Sequence, residues 1–143
     1  MRLVYAAVFS RRCAMAKLKE LTVWIENKPG ALAAMAEALG KAKLNILAFM
    51  TDEAEGQSRV RLVTDNPAKA GKTVTGLNLR FSEEEVVGVV LANKPGTLAE
   101  AAGKLGGSGI NINHGYTGSE EGSKKQLVVF AVTDLKQAGK ILK

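Results

Sequence analysis

Hydrophobic and polar positions follow two different periods along the chain. Leu21, Val23 and Ile25 alternate with Thr22, Trp24 and Glu26, which predicts a strand. Between residues 32 and 39 the apolar side chains recur at spacings of three and four, which predicts a helix with one apolar face. Strands at 44–50, 58–64 and 77–81 and a second short helix, beginning at Pro67 and ending near Gly76, complete a βαββαβ order.

The chain then repeats this order. NKPGALAAMAEALGKAKLNILAF at residues 27–49 matches NKPGTLAEAAGKLGGSGININHG at residues 93–115, with 11 of 23 positions identical and no gap. Further along, VRLVTD at 60–65 resembles VFAVTD at 129–134, and AGK occurs at 70–72 and again at 138–140. The second copy predicts strands at 86–91, 110–116 and 126–133, with helices at 98–105 and 135–142.

These patterns predict an α+β protein with two tandem ferredoxin-like βαββαβ units, each an antiparallel sheet with helices on one face. We expect a basic leader at 1–19, disordered or forming an extra strand, a first domain at 20–84 and a truncated second domain at 85–143. The second unit has no fourth strand of its own, so its sheet edge needs a cover. Residues 3–9 of the leader and a strand from a second subunit are the two candidates. Apolar side chains on both faces of the second sheet also favour packing against the other repeat or a second chain, most simply as a homodimer.

Charge and composition narrow the classes of function. The net charge is +6, but residues 1–19 carry five bases and no acid, while the rest of the chain has 15 bases and 14 acids. The body of the protein is therefore nearly neutral, which argues against nucleic acid as a partner. The single cysteine, Cys13, excludes a disulfide framework and favours a cytoplasmic protein. No apolar run approaches the roughly 20 residues that span a membrane.

The repeated N-K-P-G sequence stands where a strand turns into a helix. Each copy would place free backbone N–H groups and the positive end of a helix dipole beside an asparagine side chain, Asn27 or Asn93. Asn45 and Asn111 open the second strands, at a spacing that we expect to bring them near the same helix start. An α-amino acid has groups that match this arrangement, a carboxylate and an ammonium. The same residues also suit an ordinary turn, because Pro-Gly is common turn chemistry.

Other candidate sites are weaker. GKLGGSG at 103–109 follows a helix instead of preceding one, so it predicts a helix stop and turn and not a phosphate loop. His114 is the only histidine and has no cysteine partner, so no metal site and no cofactor are predicted. The carboxylates of the predicted hairpin turns, Asp52, Glu53, Glu55, Glu120 and Glu121, are expected to be solvated. No nucleophile elbow or catalytic residue is recognisable, so the protein is not expected to be an enzyme.

The motif residues resemble a known family. E-N-K-P-G-A-L at 26–32 with L-N-I at 44–46, and A-N-K-P-G-T-L at 92–98 with I-N-I at 110–112, are similar to the ACT domain, an amino-acid-binding regulatory fold of metabolic enzymes. The likeness covers residues 20–143. It implies that an effector binds at interfaces between ACT domains and contacts Asn27, Pro29, Gly30, Ala31, Leu32, Asn45, Asn93, Pro95, Gly96, Thr97, Leu98 and Asn111. The serine-binding branch of the family has a histidine two positions before the loop asparagine, whereas this chain has Ile25 and Leu91 there.

The resulting interpretation is a regulatory sensor that binds an amino acid or a similar small metabolite. The alternative is a non-catalytic regulatory subunit or interaction protein that docks on an amino-acid biosynthetic enzyme. The sequence leaves open which amino acid binds, whether both sites function, which downstream target is regulated and what the leader does.

Overall fold

The computed structural model describes residues 15–118 and 121–142. Within them the chain forms six strands and four helices in the predicted α+β arrangement, which confirms the duplicated fold. The elements are β1 Met15–Glu26, α1 Ala31–Lys41, β2 Ile46–Ala54, β3 Gln57–Thr64, α2 Pro67–Gly76, β4 Arg80–Ala92, α3 Thr97–Gly107, β5 Ile112–Gly118, β6 Lys125–Val132 and α4 Leu135–Ile141. The predicted strand at 3–9 lies outside the described residues.

Contacts divide the chain into two units. The first unit comprises residues 19–84, and the second comprises residues 85–142 together with residues 15–18 at the start of β1. This division places the start of β1 with the second unit, whereas the sequence prediction assigned those residues to a leader.

The first unit has the strand order β2-β3-β1-β4, with antiparallel pairing of β3 to both β1 and β2. Alternate residues of β1 and β3 pack against the apolar faces of α1 and α2, so both helices cover the same face of the sheet. The buried core residues are Leu21, Val23, Ile25, Met35, Leu39, Leu44, Val60, Leu62, Ala70 and Val74. Apolar side chains recur every two residues in the strands and about every 3.6 residues in the helices, and these two apolar faces meet to form the core, as the sequence pattern predicts.

The second unit has the corresponding order β1-β4-β6-β5. Its fourth strand is supplied from before the first repeat, by residues 15–18. A matched contact supports this equivalence: a Cβ added at Gly139 of α4 would lie 3.0 Å from Met15, and one added at Gly71 of α2 would lie 3.1 Å from Phe81. In each unit a glycine of the second helix thus allows close approach of the fourth strand.

Two details of the predicted elements need correction. β4 is one continuous strand, Arg80–Ala92, where separate strands at 77–81 and 86–91 were expected. The match of 60–65 to 129–134 is also wrong by one position. Asn66 and Asp134 cap the second helices through their side chains, so equivalent residues in this region are 68 positions apart, the spacing of the AGK sequences. Cap chemistry and strand register, rather than the V-T-D letters, set the true alignment.

The prediction that residues 103–109 form a helix stop and turn is confirmed, but the first glycines near the ends of α1 and α3, Gly40 and Gly103, do not stop these helices. α1 continues through Gly40 to Lys41, and α3 continues to Gly107. The left-handed residue that ends the turn comes later, at Lys43 with φ 63° and at Gly109 with φ 73°. The stop therefore depends on one αL position after the helix and not on the first glycine met along the sequence.

Candidate functional site

The two strand-to-helix loops have the same backbone geometry. Gly30 has φ 86° and ψ −13°, and Gly96 has φ 92° and ψ −15°, so both occupy the left-handed region that favours glycine. α1 and α3 begin at the next residue, and neither receives a side-chain hydrogen bond at its N-cap. The N–H groups of Ala31 and Thr97 donate to the carbonyl oxygens of Lys28 and Lys94 in their own loops. The next N–H groups of each helix have no intrahelical acceptor, so each loop presents donors at the positive end of a helix dipole. Pro29 and Pro95 are exposed in the same turns.

The loop asparagines tether their loops to the neighbouring strand or hairpin. Asn27 Oδ1 accepts a hydrogen bond of 3.1 Å from the hydroxyl of Ser58. Asn93 Nδ2 donates one of 2.9 Å to the carbonyl oxygen of Ser123. The two asparagines thus fix their loops through different atoms, Asn27 as an acceptor and Asn93 as a donor.

The residue that begins each helix differs between the loops. The hydroxyl of Thr97 donates within its own loop, to the carbonyl oxygens of Ala92 at 2.8 Å and Lys94 at 3.1 Å, and the residue is buried. Its counterpart Ala31 carries no such group. Thr97 therefore stabilises the loop, and its hydroxyl already has backbone partners.

Asn45 and Asn111 hold the starts of the second strands. The N–H of Asn45 donates to Asp65 Oδ1, and the N–H of Asn111 donates to Thr133 Oγ1, both at 3.0 Å. The N–H groups of Asp65 and Thr133 return hydrogen bonds to the asparagine carbonyl oxygens at 3.1 Å. These pairs close the β2–β3 and β5–β6 ladders.

The expectation that Asn45 lies near the start of the same helix as Asn27 is wrong. In β3, Gln57 lies opposite Glu26 whereas Thr64 lies opposite Ile46. The seven residue steps between them, at roughly 3.3 Å each, separate the two ends of the unit by about 23 Å. The sequence contained the signal: strands joined by a helix run parallel, so the loop after one strand and the start of the next lie at opposite ends.

An apolar pocket lies between α1 and the sheet in the first unit. It has a volume of about 110 Å³, and its lining is formed by Leu32, Met35, Ala36, Ile46, Phe49, Val60 and Leu62. Leu32 belongs to the first turn of α1, so the pocket adjoins the loop. Phe49 stands on the edge strand and is 53% exposed. This pocket could not be found from the sequence, because its residues fit the apolar faces of ordinary helices and strands.

The face of the first sheet opposite the helices is charged. Trp24 lies between two guanidinium groups, Arg80 at 5.0 Å and Arg59 at 5.8 Å from the ring centroid. Arg59 also forms a bidentate ion pair with Asp52, at 3.0 and 2.6 Å. Asp52 therefore belongs to β2 and is paired, whereas a solvated turn was expected. The hydrogen bond from Arg59 lowers the pKa of the Asp52 carboxyl below its ordinary value.

The Asp52–Arg59 pair is expected to make stability depend on pH. Because the pKa of Asp52 is lower in the folded than in the unfolded protein, its contribution is complete above the ordinary Asp value of about 3.9 and is lost as the pH falls through the folded pKa. Wild type should therefore have a larger free energy of unfolding than Asp52→Asn at about pH 6. This difference should decrease as the pH falls to about 2.5. Urea melts at both pH values measure it, and an unchanged difference would contradict the assignment.

Within residues 15–118 and 121–142, no group of three or more His, Cys, Asp or Glu side chains is placed to hold a metal ion. The rings of His114 and Tyr116 stack along β5, with centroids 6.5 Å apart. None of the helices in the described part of the chain is long and apolar enough to cross a membrane.

The comparisons agree with this architecture. The sequence matches the family model described as an ACT domain pair over residues 16–142, and the chain belongs to this family. No curated protein matches the sequence. The structure is similar to that of a protein from Bacteroides thetaiotaomicron, with 27% identity, a TM-score of 0.81 and coverage of 88% of this chain and 86% of that one.

Two aspartate kinase structures share the fold. The regulatory subunit of aspartate kinase from Thermus thermophilus, in its ligand-free form, has 12% identity, a TM-score of 0.66 and coverage of 90% and 93%. The aspartokinase alpha and beta subunits have 15% identity, a TM-score of 0.64 and coverage of 90% and 94%. At these identities the likeness establishes the fold alone. Membership of the ACT domain pair family supports a regulatory, ligand-binding role for this chain.

Proposed function

We propose that the protein is a regulatory sensor that binds an amino acid, or a similar small carboxylate metabolite, at its duplicated loops. The observation that carries the proposal is the repetition of one loop geometry, in which the N-cap residue of the helix is a glycine at positive φ and therefore supplies no side-chain cap. Backbone N–H groups at the positive end of a helix dipole favour a carboxylate. Family membership supports the same role.

The separation of the two asparagines bears on how a ligand would be held. Since Asn27 and Asn45 lie at opposite ends of the first unit, a metabolite that touches both must lie between domains of two chains. We therefore propose a homodimer in the cytoplasm, in which binding changes the population of one packing of the two chains. We propose that a metabolic enzyme is the partner that responds to this change in packing, and no catalytic role is assigned to this chain.

A panel of the proteinogenic amino acids tests the proposal. We expect at least one of them, at millimolar concentration, to raise the melting temperature, because a ligand present at 100 times its Kd stabilises the folded state by about 2.7 kcal/mol. Asn27→Ala or Asn93→Ala, or both, should reduce that shift, and unchanged binding in both variants would refute the assignment of the site to these loops. Differential scanning fluorimetry measures the shifts, and calorimetry gives the Kd.

Ser58→Ala is the matched control. It removes the hydrogen bond that tethers Asn27 but keeps the asparagine side chain. If Asn27 contacts the ligand, Ser58→Ala should bind better than Asn27→Ala. Equal losses in both would mean that Asn27 only positions the loop, and no stabilisation by any amino acid would refute the proposed function.

A further inference from the structure

The apolar pocket of the first unit has the size and lining of a site for a single aliphatic group. Its volume of about 110 Å³ is well below the roughly 300–1,000 Å³ of pockets that enclose drug-sized ligands. Its lining is apolar, and cavities of that kind stay dry and accept apolar groups. A whole cofactor would not fit, whereas one hydrocarbon side chain would.

The pocket arises from an exchange of residue sizes between the repeats. In the first unit the cross-strand pair is Phe49 opposite Leu62, and in the second the equivalent pair is Gly115 opposite Phe130. Phe130 is 3% exposed, and its ring lies over Gly115, where an added Cβ would be only 3.1 Å from the ring. In the second unit the aromatic ring thus fills the space beneath the helix. In the first unit a smaller leucine occupies that central position.

The aromatic ring of the first unit stands at the mouth of the pocket instead of inside it. Phe49 is on the edge strand and is 53% exposed, so much of its apolar surface faces solvent. An aliphatic group that entered the pocket would cover part of this ring. The apolar surface of the group and the covered part of the ring would then be removed from water. The pocket also adjoins Leu32, in the first turn of α1, where the loop N–H groups are.

We propose that the first repeat is the binding repeat, and that this pocket takes the side chain of an aliphatic amino acid such as leucine, isoleucine or valine. The inference rests on the proposed function and adds the class of ligand and the choice of repeat. The carboxylate of the ligand lies at the loop before α1, and its hydrocarbon side chain extends beneath the helix. The second repeat, with Phe130 in the equivalent space, binds no aliphatic side chain there.

Calorimetry with L-leucine, glycine and L-lysine tests the ligand class. We expect L-leucine to bind roughly 100-fold more tightly than glycine, because each buried CH₂ contributes about 0.8 kcal/mol. L-lysine should bind far more weakly than L-leucine, since its ammonium would have to enter an apolar pocket. Glycine or L-lysine binding as tightly as L-leucine would overturn the inference.

A pair of equivalent alanines tests the repeat. Ala36 lines the pocket, and Ala102 is its counterpart on α3. Both are half-buried, and methionine is a good helix former, so substitution at either position should preserve the helix. Ala36→Met should weaken L-leucine binding about tenfold or more by filling the pocket, and Ala102→Met should leave it unchanged. Loss of binding in Ala102→Met but not in Ala36→Met would assign the site to the second repeat.

A double variant provides a second test of the pocket in case Ala36→Met does not fold. Phe49→Gly combined with Leu62→Phe installs the residue pair of the second repeat, with circular dichroism and the ligand-free melting temperature as checks of folding. It should lose L-leucine binding, and retained binding would overturn the inference. If no amino acid of any class binds the wild-type protein, the proposed function fails. If a polar amino acid binds while the pocket variants have no effect, only the inference fails.

Discussion

Replacing Glu20 with alanine is expected to lower the free energy of unfolding by about 3–5 kcal/mol, the cost of leaving one member of a buried ion pair without its partner. Glu20 is completely buried in β1, and its carboxylate lies 3.8 Å from the Nε of Arg61, whose side chain is 15% exposed. That Nε is buried and has no hydrogen-bond partner among the described residues. Loss of the carboxylate would leave the largely buried guanidinium without this partner charge.

The double variant Glu20→Leu with Arg61→Met makes this prediction specific. Because two apolar side chains of similar volume remove both charges, the double variant should recover most of the stability that Glu20→Ala loses. Glu26→Ala is the control: its 2.8 Å pair with Lys28 is exposed, and its loss should cost less than about 1 kcal/mol. Urea denaturation of all three variants measures the differences. A loss below 1 kcal/mol for Glu20→Ala would show that the pair contributes little.

Leu18→Ala is expected to cost about 2–5 kcal/mol, in the range found for buried leucines. Leu18 is 8% exposed and lies in the four residues of β1 that complete the sheet of the second unit. Sequence periodicity alone assigns these residues to a leader, for which the same substitution would have almost no effect. The prediction therefore tests the structural origin of the missing fourth strand.

Lys17→Ala is the matched control, because its side chain is exposed on the same strand. It should change the free energy of unfolding by no more than about 0.5 kcal/mol. Hydrogen exchange should also show faster exchange in β4 and β6 of Leu18→Ala than in the control. Identical exchange in the two variants would contradict the assignment of residues 15–18 to the second unit.

The local geometry of the two glycine loops and of the α2 cap could be predicted from the sequence because its determinants are local. A strand that turns into a helix through an αL residue favours glycine at that position. Gly30 and Gly96 both occupy this conformation. Asn66 caps α2 through a hydrogen bond from the N–H of Lys69, as the N-P order after a strand indicates. Each of these features depends on side chains within a few residues of one another.

The position of Asn45 relative to Asn27 was predicted wrongly because spacing along the chain does not give direction. α1 carries the chain back along the sheet before β2 begins, so the two asparagines lie at opposite ends of the unit. The pocket was missed for a related reason. Whether Leu62 or Phe130 leaves a gap depends on its cross-strand neighbour, Phe49 or Gly115, and the strand register determines that neighbour.

The sequence by itself determined the repeat, the βαββαβ order, the conformation of the two glycine loops and the near-neutral charge of the body. These follow from periodicity, propensity and composition, which act over short stretches of chain. Only the tertiary structure decided that residues 15–18 complete the second sheet, that Glu20 and Arg61 form a buried pair and that the first repeat alone combines Leu62 with an exposed Phe49. The physical reason is that strand pairing and burial bring together residues far apart in sequence, and their free energy belongs to the whole packed unit and not to any single segment.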